Sequence, residues 1–167
     1  GHRVEGLARR GSRLTEAIVV DNASGRRMRI AADYVLSTMP IRELINGLGS
    51  AVPRDVQQVA QGLIYRDFIT VGLLLKRFRA ARRPTAGGVN ALPPDCWFYI
   101  QEPEVSVGRI QVFNNWSPYM VANRAYPWVG LEYFCYEGDH LWRQGNRQLM
   151  DMAVEEMAKL GFLVPED

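Results

Sequence analysis

The sequence predicts an α+β fold, a β-meander plus an antiparallel sheet with flanking helices, in two parts that meet near residue 60. Three observations predict it. Short runs of β-branched and apolar residues recur between turn residues as far as residue 31. Apolar residues at helical spacing follow Pro40 and Pro53 and return near the end of the chain. Of the 17 aromatic residues, only Tyr34 precedes Tyr65, whereas 14 fall between Tyr65 and Tyr136.

The elements follow in order. Arg3 to Ala8, Leu14 to Val20 and Met28 to Ala31 read as the three strands of the meander, parted by turns at Gly11-Ser12 and Asn22-Ala23-Ser24-Gly25. Tyr34 to Thr38 is a short apolar run that reads as a buried strand, broken by Met39-Pro40. Pro40 suits the first position of a helix, and Arg42 to Leu48 has helical spacing that Gly47 and Gly49 stop. Pro53 opens a second helix with Val56, Val59, Ala60 and Leu63 on one face. Tyr65 to Lys76 is a long strand, and Arg77 to Pro94 a basic loop rich in glycine and proline. Trp97 to Gln101 and Arg109 to Asn114 pair as a hairpin, with Trp128 to Tyr136 as a further antiparallel strand. Arg147 to Leu160 is a helix whose apolar face is Leu149, Met152, Ala153, Met157 and Leu160, stopped by Gly161.

Composition narrows the function classes. With 47% apolar and 23% charged residues in 167, the chain is of a folded, soluble type. A formal net charge of +2 argues against a dedicated nucleic-acid or membrane-surface binder. Lys76 and Lys159 are the only lysines, so 18 of the 20 basic residues are arginine, which suits bidentate recognition of phosphate or carboxylate. The longest largely apolar stretch, Ile69 to Leu75, is far below the ~20 residues needed to cross a bilayer. Cys96 and Cys135 read as free buried thiols, and two isolated histidines exclude a zinc site. Reduced thiols and the lack of a targeting pattern lead to an expected cytoplasmic location. The first residues, Gly1-His2-Arg3-Val4, are already strand-like, and Pro165-Glu166-Asp167 reads as the approach to another element. The chain is therefore expected to be a piece of a longer protein.

No complete catalytic motif is present: there is no glycine-rich dinucleotide fingerprint, no phosphate-cradling loop and no nucleophile elbow. Three local features carry possible chemistry. In Asp33 to Pro40, Ser37 and Thr38 stand at the end of an apolar run, where backbone amides and hydroxyls can face a ligand crevice; the competing reading is a helix cap. Arg109 to Tyr119 delivers Asn114, Asn115, Trp116 and Tyr119 to one loop, a mix of amides and stacking faces suited to a polar ring; the competing reading is an Asx turn among core aromatics. Lys76, Arg77, Arg79, Arg82 and Arg83 form a basic run able to clamp a diphosphate, or simply solvated charge. Glu132, Glu137 and Asp139 are candidate acids or bases, and read more simply as solvated charges at a strand end.

With these residues in hand, Val4 through Pro40 resembles the middle of flavoproteins of the amine oxidase and protoporphyrinogen oxidase superfamily. Val4 matches a strand valine whose backbone meets the FAD adenine there, and Ala32 to Pro40 matches the element after the meander. Cys96-Trp97-Phe98-Tyr99, Arg109 and Val112 to Pro118 resemble substrate-domain strands of UDP-galactopyranose mutase-like flavoproteins, especially the eukaryotic type.

The resemblance implies an internal fragment of a two-domain, glutathione-reductase-like FAD-binding fold. Residues 1–60 would be part of the FAD-binding domain and 61–167 the substrate-domain sheet and helix. It implies FAD contacts at Val4, Ser37, Thr38, Met39, Pro40 and Asn115. Substrate contacts would fall at Arg82, Arg83, Arg109, Asn114 and Trp116, with a small molecule, a sugar nucleotide among the candidates, as partner. The family's dinucleotide fingerprint, its later flavin-binding segment and the arginine and tyrosines that grip the sugar nucleotide are not in these residues. The alternatives are a flavin oxidase of the amine or porphyrinogen type and a non-enzymatic sheet that stacks bases or sugars on Trp97, Tyr99 and Trp116.

Overall fold

The computed structural model describes residues 1–79 and 92–164, and the chain divides into two compact units, Gly1–Tyr65 and Arg66–Asp167. The first unit opens with a three-stranded antiparallel meander, β1 (His2–Arg10), β2 (Arg13–Asp21) and β3 (Arg27–Ala31), in that spatial order. Gly11, at φ 61°, supplies the left-handed residue of the β1–β2 turn. Asp21 closes the next turn, accepting hydrogen bonds from Ala23 N at 2.9 Å and Ser24 Oγ at 2.9 Å, which hold its carboxyl below the ordinary range.

Two helices complete this unit, α1 (Ile41–Leu48) and α2 (Arg54–Gly62). Pro40 and Pro53 each stand one residue before the helix, not at its first position; their carbonyls accept the first helical bonds, from Leu44 N and Gln57 N. Gly47 lies inside α1, where a Cβ would stand 3.5 Å from Gly6 Cα on β1, and Gly49 ends the helix. The apolar face expected on α2 is buried only at Ala60, while Val56 and Val59 are exposed.

Tyr34 to Thr38 is not a strand. The segment is extended without ladder partners, with Tyr34 87% and Leu36 91% exposed. An apolar run specifies a strand only if another backbone takes its N–H and C=O groups. Among the described residues none does.

The second unit is a four-stranded antiparallel sheet built from β4 (Asp67–Leu74), β5 (Trp97–Tyr99), β6 (Arg109–Val112) and β7 (Trp128–Cys135), in spatial order β4-β7-β6-β5. The expected hairpin is present, with Trp97 opposite Gln111 and Tyr99 opposite Arg109. Phe113–Trp116 leaves the strand as a single helical turn, α3. The last helix, α4 (Asn146–Lys159), starts where Gln148 Oε1 accepts the Gly145 N–H at 3.1 Å. It ends in a Schellman motif, Phe162 N to Met157 O and Gly161 N to Ala158 O, around Gly161 at φ 74°.

Strand alternation sets the two faces of this sheet. Val71, Ile110, Val129, Leu131 and Tyr133 share the hydrophobic core with Leu149, Ala153 and Met157 of α4. The other face carries Phe68, Thr70, Gln111, Arg109, Glu132, Phe134, Trp97 and Tyr99 by register. On it, Phe113 packs against Gly130, where a Cβ would stand 2.7 Å from Phe113 Cζ and 3.3 Å from Thr70 Cγ2. Gly130→Ala is therefore expected to lower stability by about 1–3 kcal/mol. The check is the urea midpoint, and an unchanged midpoint would show that Phe113 swings clear.

Candidate functional site

The first unit holds a cleft of about 440 Å³ between the start of β1, the segment before Pro40 and α1. Val4, Ser37, Thr38 and Met39 line it together, with Arg3, Leu7, Val35, Leu36, Glu43 and Leu44. Pro40 is the next residue and caps α1. A register shift in the β1–β2 ladder lies between Val4 and Gly6, at the wall of the cleft. Glu5 beside it takes Arg3 at 3.0 Å and Arg27 at 2.9 Å, so the charges at this edge are paired with one another. Neither Ser37 nor Thr38 caps α1, which has no side-chain cap. That removes the competing helix-cap reading.

A second cleft, of about 470 Å³, lies between α1 and α2, but its polar lining is engaged internally. Gln57 Nε2 donates to Val52 O at 2.9 Å and Gln61 Nε2 to Asn46 Oδ1 at 2.8 Å.

In the second unit the polar centre of the open sheet face is Glu132, an acid that reads from the local sequence as a solvated charge. It is instead 1% exposed. Its Oε2 accepts Arg109 Nε at 2.6 Å and also Arg109 Nη2, and its Oε1 accepts Gln111 Nε2. Arg109 lies over Trp97 at 5.5 Å and near Phe134 at 5.9 Å, and Arg66 approaches Phe134 and Tyr136 at 5.7 and 5.6 Å. The result is an alternation of rings and guanidiniums across the sheet, each contact worth about 0.5–1 kcal/mol at such partly exposed sites. The lone carboxylate inside the apolar strand WVGLEYFC was the available signal, because an acid buried in a strand needs a cation.

The asparagines stand on α3 and not at a strand end. Asn114 is buried, its Nδ2 donating to Tyr126 O at 3.0 Å and its Oδ1 accepting Trp128 N at 2.8 Å. Asn115 Nδ2 donates to Pro93 O at 2.7 Å and Asp95 O at 2.8 Å. Both brace loops distant in sequence, so neither forms the Asx turn of the competing reading. Trp116 is exposed. Arg82 and Arg83 lie outside the described residues. Glu137 is exposed, and Asp139 closes a turn by accepting Trp142 N at 2.9 Å and Tyr136 N at 2.8 Å, which hold its carboxyl below the ordinary range. Cys96 and Cys135 are free, and burial pushes the Cys135 thiol up. Among the described residues no cluster of acids, cysteines and histidines could hold a metal, and no helix is long and apolar enough to cross a membrane.

A meander with two helices in one unit, and a helix-backed antiparallel sheet in the other, define an α+β chain whose likeness to solved structures is one of fold. Among those structures is the crystal structure of reduced UDP-galactopyranose mutase, matched at 19% identity and a TM-score of 0.50 over 90% of this chain. The chain spans 29% of the length of that solved protein. No protein-family model and no curated protein matches the sequence.

The lining of the first cleft fits a flat heteroaromatic ring. Val4, Leu7, Leu36 and Leu44 offer apolar surface for its faces, and the Ser37 and Thr38 hydroxyls offer donors and acceptors for its edge.

Proposed function

We propose that the chain is the middle portion of an FAD-dependent enzyme related to UDP-galactopyranose mutase. Residues 1–60 supply part of the FAD-binding domain and 61–167 the sheet and helix of the substrate domain. The observation that carries this reading is the agreement of 90% of the chain with the fold of the reduced mutase. The clustering of Val4, Ser37, Thr38 and Met39 around one cleft supports it independently.

In this reading Val4, Ser37, Thr38, Met39 and Pro40 hold the cofactor. The bound flavin supplies an electron acceptor and, when reduced, a nucleophilic nitrogen. The work of this chain is binding and orientation. Ser37 and Thr38 present hydroxyls to the cofactor while Val4 and Leu7 exclude water from its ring. In the substrate domain Arg109 and Trp116 face a sugar nucleotide, Asn114 fixes the loop beside them, and Arg82 or Arg83 holds its diphosphate. The exposed Tyr34–Thr38 segment then becomes a paired strand in the complete protein, which removes its apolar exposure.

The test uses the full-length protein that contains this chain. It is expected to purify with bound flavin and, once reduced with dithionite, to interconvert UDP-galactopyranose and UDP-galactofuranose. Flavin without interconversion, but with bleaching by an amine or a porphyrinogen, would assign it to the oxidases. A colourless protein that takes up no FAD would overturn the flavoprotein reading altogether.

A further inference from the structure

The open face of the second sheet combines exposed rings with an electrically balanced centre. Trp97 is 41% and Tyr99 57% exposed, and their rings meet at 79° with centroids 5.1 Å apart. Such a pair forms a corner and not a slot between parallel rings. Beside the corner, the Glu132 carboxylate cancels the charge of Arg109 while leaving Arg109 Nη1 without a hydrogen bond among the described residues. Gln111 Oε1 is likewise without one. Arg66, the other cation on this face among the described residues, sits at the β4 edge with its guanidinium against Phe134 and Tyr136, on the far side of Phe134's strand from the Trp97–Tyr99 corner. A corner of rings with a neutral donor and acceptor set matches a puckered ring that has C–H groups on one side, hydroxyls at its rim and no charge of its own.

We infer that this corner binds one uncharged sugar ring, its C–H side on Tyr99 and Trp97 and its hydroxyls on Arg109 Nη1 and Gln111 Oε1. Glu132 acts as the positioning residue, because it fixes the guanidinium that meets the ligand. The inference deepens the mutase-like reading and rests on it only for the supposition that the substrate carries a sugar.

The test is a titration of the ¹⁵N-labelled chain with methyl β-galactopyranoside, following the Trp97 indole and Arg109 Nε resonances, with uridine and glucuronate as comparators. Saturable shifts are expected with the neutral glycoside and weaker ones with both comparators. Trp97→Ala and, separately, Tyr99→Ala should weaken glycoside binding about tenfold. Trp142→Ala, in the connection between β7 and α4 and with no contact to Trp97, Tyr99, Arg109 or Gln111 among the described residues, should leave it unchanged. Spectral dispersion reports whether each variant is folded. Tighter binding of uridine at the same resonances, or no saturable glycoside shift, would overturn the inference. A colourless full-length protein combined with saturable glycoside binding would sink the flavoenzyme reading alone, and a flavin-bearing, active enzyme without it would sink this one alone.

Discussion

Arg109→Met is expected to cost about 3–5 kcal/mol, clearly more than Glu132→Gln at about 1–2 kcal/mol. The two residues form one ion pair, yet their surroundings differ: the Glu132 side chain is 1% exposed and that of Arg109 26%. Removing the arginine leaves a buried carboxylate with Gln111 as its only side-chain donor among the described residues. It must then stay charged in a poor solvent or take up a proton, and either is costly. Removing the acid's charge leaves a guanidinium that still rests on Trp97 and near Phe134 and reaches water by its exposed edge. Because the partners share one interaction, the double variant should cost less than the sum of the singles. All 4 tryptophans, Trp97, Trp116, Trp128 and Trp142, lie in the second unit, so their fluorescence reports the urea unfolding of that unit. Equal midpoints for the two single variants would show that burial does not set the asymmetry.

The same pair illustrates what the sequence could and could not convey. Alternation of apolar and polar residues, and the turn at Gly11, foretold the meander and its antiparallel order, because period and turn chemistry are local. The segment Leu149 to Leu160 likewise carried its own helical period and its glycine stop. Glu132 reads as solvated because Glu137 and Asp139 follow closely, and the local sequence, although it carries the strand on to Tyr136, does not show that the acid lies opposite Arg109. Asn114 and Asn115 were legible as a polar pair, but their partners are carbonyls of Tyr126, Pro93 and Asp95, which only the tertiary structure brings near. The strand expected at Tyr34 to Thr38 fails for a related reason: its apolar residues are real, but a strand is defined by a neighbour. The cleft is a middle case. Val4 and Ser37 to Met39 are legible in the sequence, whereas Leu7, Glu43 and Leu44 are not, since the cleft they line forms only through the packing of α1 against β1.

The second large effect is expected at Glu156 of α4, which is buried although charged. Its two carboxylate oxygens accept the backbone N–H groups of Ser106 at 2.7 Å and Val107 at 3.0 Å, fastening the loop before β6 to the helix. Glu156→Ala strands both donors, at about 1–3 kcal/mol each. Glu156→Gln keeps one acceptor and turns an amide N–H toward the other donor, so it should fall between wild type and alanine. Amide hydrogen exchange at Ser106 and Val107 separates this from a general loss of stability, because their protection should disappear before that of Leu131 in the strand. Tyr133 supplies the contrasting variant. Its hydroxyl is buried beside the Glu156 carboxylate without reaching full hydrogen-bond geometry, and burial, then the charge and acceptor of Glu156, push its pKa above the ordinary tyrosine range. Tyr133→Phe removes that unsatisfied group and should be neutral or stabilising by about 1 kcal/mol near neutral pH. The sign of the pH dependence follows from the upward shift. Whatever stability the neutral phenol lends is complete below its ordinary value of 10.0 and declines as pH rises beyond it, since there the unfolded chain releases the proton and the folded one retains it. The phenylalanine variant should show a shallower decline in urea midpoint above that pH, and an identical decline in both proteins would show that Tyr133 is not the group responsible.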